Sequence, residues 1–195
     1  MTLLIAGLLL FLGLHSLRIF ADGWRSARIA QWGAGPWKLG YTVLSLAGLA
    51  AIVWGYGLAR HDPIVLWPAL PFMRHVTGLL MLVALVLLAA AYLPRSGFKL
   101  RLGHPMLLGT KTWAFAHLLA NNTLHDELLF GSFLVWSVLC FRSARRRDRA
   151  AAAASSAPAV RAEPVQTLLA FVLGLLLWGA IAFWAHEWAI GVRPI

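Results

Sequence analysis

Leu39 to Ala59 reads LGYTVLSLAGLAAIVWGYGLA, twenty-one residues without one charged side chain. A helix rises about 1.5 Å per residue and the hydrocarbon core of a bilayer is about 30 Å thick, so this run is long enough to cross it. Val165 to Ala185 is equally free of charge, and Thr2 to Leu17 and Val76 to Leu93 are nearly as clean and slightly shorter. The composition agrees: 61% of the 195 residues are hydrophobic and 12% are charged, which is not the make-up of a soluble globule. The sequence therefore predicts an all-α integral membrane protein.

Two weaker runs complete the pattern. Pro105 to Asn122 carries Lys111 inside it, and Leu128 to Phe141 must borrow neighbours to reach across. Basic residues concentrate in short cytoplasmic loops, so their distribution tests the span count. With six transmembrane helices and both termini outside, the inner loops collect Arg18, Arg25, Arg28 and Lys38, then Arg95, Lys99 and Arg101, then Arg142, Arg145, Arg146, Arg147, Arg149 and Arg161. The outer segments keep only Arg60, Arg74 and Arg193. Removing one weak span would place the Arg142 to Arg149 cluster outside. Six spans is the economical reading.

The formal charge of +10 is thus explained by orientation and by anionic lipid rather than by nucleic acid, and the lipid bilayer is the partner it implies. The N-terminus lacks a basic n-region and an A-x-A site, so the first span is expected to stay as an anchor. Cys140 is the single cysteine, which excludes an intrachain disulfide. The organisation expected is a five-span core over residues 1–142, a basic Ala-rich cytoplasmic linker over 143–164, and a final helix with its tail over 165–195. The linker has little to bury and reads as a mobile loop with a frayed helix through its alanines. No GxGxxG, P-loop, CxxC or HExxH pattern occurs, and no soluble catalytic domain is expected.

Ionisable residues inside spans are costly and mark function by default. His15 lies on the first span, with Arg18 and Asp22 predicted one and two turns further along the same face. Either a hydrogen-bonded core histidine or a ligand fits this position. His104 begins the next polar stretch, HPMLLGTKTWAFAHLLANN, with Pro105 at a favourable first helical position. Lys111 shares the face of His104 and reaches toward the inner headgroups. His117 is turned about 140° from His104, beside Thr110, Trp113, Ala114 and Ala120. Small residues there leave room for a flat group or for a closely packed helix. An outward metal site from His75, His125 and His186 is a further arrangement the sequence permits.

LHSLRIFADGWR (residues 14–25) and HPMLLGTKTWAFAHLLANN (residues 104–122), in that order with a membrane pattern between them, resemble the NnrU family of bacterial membrane proteins. The resemblance covers most of residues 1–142. The same two blocks are similar to those of the plant 15-cis-zeta-carotene isomerases, which hold haem b between one histidine of each block. The resemblance implies haem b with His15 and His117 as metal ligands, and Arg18, Lys111 and His104 as partners for its propionates. It also implies the bacterial inner membrane and a link to nitrite and nitric oxide metabolism, by electron transfer, sensing or maturation, with an electron donor or nitrogen-oxide reductase as partner. Ala114 stands where the isomerases carry a cysteine, which weighs against thiolate ligand switching. In the predicted topology His15 sits inward and His117 outward of mid-bilayer, roughly 10 Å apart in depth. Helix tilt and side-chain reach must close that gap. A polyene isomerase and a cofactor-free structural or transport protein are the alternatives the residues leave open.

Overall fold

The computed structural model describes residues 1–154 and 160–194, and among them the regular structure is helical. The helices are α1 (Thr2–His15), α2 (Leu17–Phe20), α3 (Asp22–Trp32), α4 (Ala34–Ala59), α5 (Met73–Ala91), α6 (Gly97–Leu102), α7 (Pro105–Ala120), α8 (Leu124–Ala153), α9 (Pro164–Ala180) and α10 (His186–Ile190). A π-helical turn, Ile181–Ala185, joins α9 to α10 without a break. Four helices are long and apolar enough to cross a membrane: α4, α5, α8 and the continuous Pro164–Ile190 run. α1 is apolar but has 14 residues. α7 has 16 and includes Lys111.

The chain divides into two compact units, Met1–Pro68 with Asn122–Trp136, and Ala69–Asn121 with Ser137–Ile195. In the first unit α1 and α4 pack antiparallel with almost no side chain between them. A Cβ on Gly55 would fall 2.3 Å from the Leu4 amide nitrogen, and one on Gly48 would fall 3.0 Å from that of Phe11. Gly48 and Gly55 are seven residues apart, as are Leu4 and Phe11, so two turns of each helix stay in register. Close backbone approach over small residues is how helices associate where lipid removes the hydrophobic drive between them. Leu4, Leu8, Leu12 and Ile52 form the buried core of this seam, and Phe133 and Trp136 of α8 pack against it.

In the second unit α5 is the central helix, with α7 and α9 antiparallel to it. Gly109 sits against the Ala84 carbonyl and Leu88, and Gly174 sits against the backbone of Val86. Two polar ties fix the register. The buried Thr77 hydroxyl donates to the Ala116 carbonyl at 2.7 Å, and the Trp178 indole N–H donates to the Gly78 carbonyl at 2.8 Å. Outward faces of α4 and α9, including Leu39, Val53, Trp54, Leu168 and Leu176, are exposed apolar surface suited to lipid.

Two local expectations are corrected. The first span does not carry Arg18 and Asp22 on one continuous helix: α1 ends at His15, and Ala21 leaves the helical region at φ −140° and ψ 39°. The Ser16 amide turns to the Gly13 carbonyl at 3.1 Å while its hydroxyl takes the Leu12 carbonyl at 2.6 Å, so the last turn is capped from within. Asp22 instead opens α3, a favourable place for a carboxylate. The second concerns the run after Phe141: in place of a loop with a frayed helix through its alanines, α8 continues unbroken through Ala153, because arginine and alanine are strong helix formers. The rest of the expected linker includes residues 155–159, which lie outside the described residues.

Candidate functional site

His15 occupies the last residue of α1. Its Nδ1 lies 2.6 Å from the Phe11 carbonyl. A carbonyl oxygen only accepts, so Nδ1 carries the proton and the lone pair is on Nε2. The ring stacks on Phe11 at 4.2 Å and meets the edges of Tyr41 at 5.2 Å and Trp136 at 6.2 Å. It borders a cavity of about 440 Å³ that is also lined by Arg18, Arg25, Lys38, Trp37 and Tyr41. The LHS motif thus has a local reading: consecutive side chains, His15 and Ser16, bond the carbonyls of Phe11 and Leu12 and aim the imidazole.

His117 is held in the same way by a different helix. Its Nδ1 lies 2.9 Å from the Trp113 carbonyl, which again assigns the proton to Nδ1 and the lone pair to Nε2. Ala114 and Ala116 beside it are fully buried. Asn121 ends the helix by bonding the His117 carbonyl through both its backbone amide, at 2.9 Å, and its side-chain amide, at 3.0 Å. His117 lines a cleft of about 300 Å³ with Arg74, Thr77, Met81, Trp178 and His186. The tail closes one side of it. Gly191 adopts φ 76°, a left-handed cap that favours glycine, and turns the chain back. His186 Nδ1 then donates to the Val192 carbonyl at 2.7 Å, and Arg193 binds Glu187 through Nη2 at 2.7 Å. Val192, Arg193 and Pro194 line the cleft as a result.

Arg18 is thus brought into the cavity of His15. His104 and Lys111 are set elsewhere. The Lys111 ammonium lies 5.6 Å from the centre of the Phe141 ring, and the His104 ring meets the same phenyl edge-on at 6.2 Å. His104 Nε2 is 2.9 Å from Asp148. The two share one face, as their spacing predicts, but line neither cavity. Among the described residues no three His, Cys, Asp or Glu side chains form a metal cluster. His125 is buried in the first unit, with Thr123 Oγ1 3.1 Å from its ring nitrogens. Asp126 accepts from Tyr56 and from Thr123, each at 2.6 Å.

Sequence reasoning missed Arg74 and Arg193 beside His117, and Arg25, Lys38 and Tyr41 beside His15. The basic residues among them are explained by loop sorting alone, and His186 is named only for an outward metal site. The only sequence signal was the Gly191 to Pro194 stretch after an apolar run, which marks a helix stop without saying where the tail goes.

The fold and these sites define a helical membrane protein with two imidazoles, each fixed by its own helix through a carbonyl four residues back. The chain belongs to the NnrU family: the family model described as NnrU protein matches residues 3–194, so membership extends through the last helix and its tail. No curated protein and no solved structure matches it.

Proposed function

We propose that the protein binds haem b, with His15 and His117 as axial ligands, and serves nitrogen-oxide metabolism as an electron-transfer component. The observation that carries this reading is the shared setting of the two imidazoles. A metal-bound histidine normally donates its other ring N–H to a carbonyl or carboxylate, which fixes the tautomer and the ring orientation. His15 and His117 both do so, at 2.6 and 2.9 Å. Arg18 lies beside His15 and Arg74 lies beside His117, so each imidazole has a cation for a propionate. Haem would supply one-electron chemistry, with His15 and His117 the residues that would hold it. The residues themselves orient the two imidazoles and balance charge, and apolar walls border the cleft beside His117.

With this reading go six crossings, in which α1 and α7 also span, both termini outside, and residence in the bacterial inner membrane. The sorting of thirteen basic residues into alternate segments supports it. A partner follows from the role: an electron donor or a nitrogen-oxide reductase. A second reading, isomerisation of a membrane polyene, is favoured only by the apolar cleft beside His117, whose lining includes Met81, Leu85 and Trp178.

The test is haem content by pyridine haemochrome together with the native absorption spectrum of protein purified in mild detergent, compared with His15→Ala and His117→Ala. Wild type should carry haem b. Each variant should lose haem or change its spectrum, and a wild type without haem, or an unchanged His117→Ala spectrum, defeats the reading.

A further inference from the structure

We propose that the cavity beside His15 binds the phosphate of an anionic phospholipid through Arg18, Arg25 and Lys38. All three cations line it, one from each of α2, α3 and α4, and no carboxylate does. Arg25 has a long ion pair with Asp22, whose Oδ1 lies 3.8 Å away outside the lining. Arg18 and Lys38 form no ion pair among the described residues. Three like charges around about 440 Å³ repel one another, and a bound anion removes that cost.

The neighbouring residues select a lipid over a free anion. Leu14, Leu17 and Ile29 give the cavity apolar walls, a place for acyl chain that inorganic phosphate cannot use. α3 is a short helix with exposed tryptophans, Trp24 and Trp32, and Trp24 and Trp37 meet at 6.0 Å. Arg28 lies over Trp24 and Trp32 and bonds Gln31, so it is used locally and leaves the other cations to the cavity. Tryptophan and arginine on a short amphipathic helix are the residues of the headgroup layer. A basic pocket at that level recognises anionic headgroups. Arg18 is shared with the haem reading, but Arg25 and Lys38 take no part in it, so the test is made on those two.

The experiment is a lipid titration of the full-length protein in dodecyl maltoside, followed by intrinsic tryptophan fluorescence. Phosphatidylglycerol should bind saturably and phosphatidylcholine should not. The double substitution Arg25→Gln with Lys38→Gln should weaken phosphatidylglycerol roughly thirtyfold, from about 1 kcal/mol per cation at a membrane surface. Lys38→Arg should bind within about twofold of wild type, and exposed Arg149→Gln should behave as wild type. Equal responses to both lipids, or undiminished affinity in the double variant, overturn the proposal. A full response to sodium phosphate at matched phosphate concentration assigns the cavity to free phosphate and overturns the lipid. Haem content that falls in the double variant while lipid affinity holds assigns the cations to propionates and overturns it equally.

Discussion

His15 and His117 are held by the same device and placed in opposite surroundings. Each ends or nears the end of its helix with Nδ1 on the carbonyl four residues back. Around His15 the walls are cationic and aromatic, and the residues come from α1 to α4 near one another in sequence. Around His117 the walls are mainly apolar, and they come from α5, α7 and a tail more than sixty residues further on. The difference teaches that the imidazole setting is a local property of a helical turn, whereas the character of the cavity is a property of packing. Two imidazoles in one local setting thus border cavities of different character.

The largest effect should come from the seams that hold each cavity's helices together. Gly55→Val places a side chain where a single Cβ already meets the Leu4 backbone at 2.3 Å, and Gly174→Val does the same against Val86 at 2.5 Å. Overpacking of this kind costs about 1–3 kcal/mol or more, so both variants should lose monodisperse protein on size exclusion or melt well below wild type. Gly13→Ala, with nothing within 4 Å of the added Cβ, should melt as wild type does or slightly higher. If Gly55→Val disturbs haem content as strongly as Gly174→Val, the two units depend on one another. If only one does, the ligands are separable.

Next in size is Thr77→Val, which removes a buried hydroxyl from the Ala116 carbonyl next to His117. A lost buried hydrogen bond costs about 1–3 kcal/mol where its partner stays dry. The thermal midpoint should fall, and any spectral change should be confined to the His117 ligand. An identical response from Ser16→Ala, at the other imidazole, would break the contrast between a packed site and a locally capped one.

Smaller still is Gly191→Ala. A non-glycine residue at φ 76° is strained by about 1 kcal/mol, enough to loosen the tail without unfolding the chain. Hydrogen exchange should quicken over Val192 and Arg193 while the α5 and α7 amides keep their protection. Unchanged exchange in the tail would mean that the His186 and Glu187 bonds suffice to hold it.

These variants also mark how far the sequence could be read. The apolar runs announced the long helices because crossing length and hydropathy are local sums. The two histidine motifs were equally local. The stop after His15 was not legible, since serine inside an apolar run predicts neither continuation nor a turn until its hydroxyl finds Leu12. The helix through the alanines after Phe141 was legible as a frayed one, and its continuity with α8 to Ala153 was not, because charge suggested a loop between them. Arg74 and Arg193 were invisible as site residues for a different reason. That both line one cleft follows from packing and from the reversal at Gly191, which has no hydrophobic period to betray it.

The faintest prediction concerns the other end of α9. Glu163 precedes the helix and pairs with Arg95, and the Gln166 amide donates to it at 2.6 Å. Hydrogen bonding from the Arg95 guanidinium is the main cause that holds the Glu163 carboxyl below its ordinary range. A depressed carboxylate stabilises the folded state above the ordinary glutamate pKa of about 4.3, and that contribution fades as pH falls toward the depressed value. Both partners are exposed, so the effect should be small. The thermal midpoint of wild type should exceed that of Glu163→Gln slightly at pH 7 and converge with it near pH 3. A gap that widens on acidification has the wrong sign for this pair and would remove it from the forces that position α9. The position of α9 would then rest on the Gly174 seam, the Trp178 bond and the hydrogen bonds that Gln166 and Thr167 accept from the Arg95 and Gly97 amides.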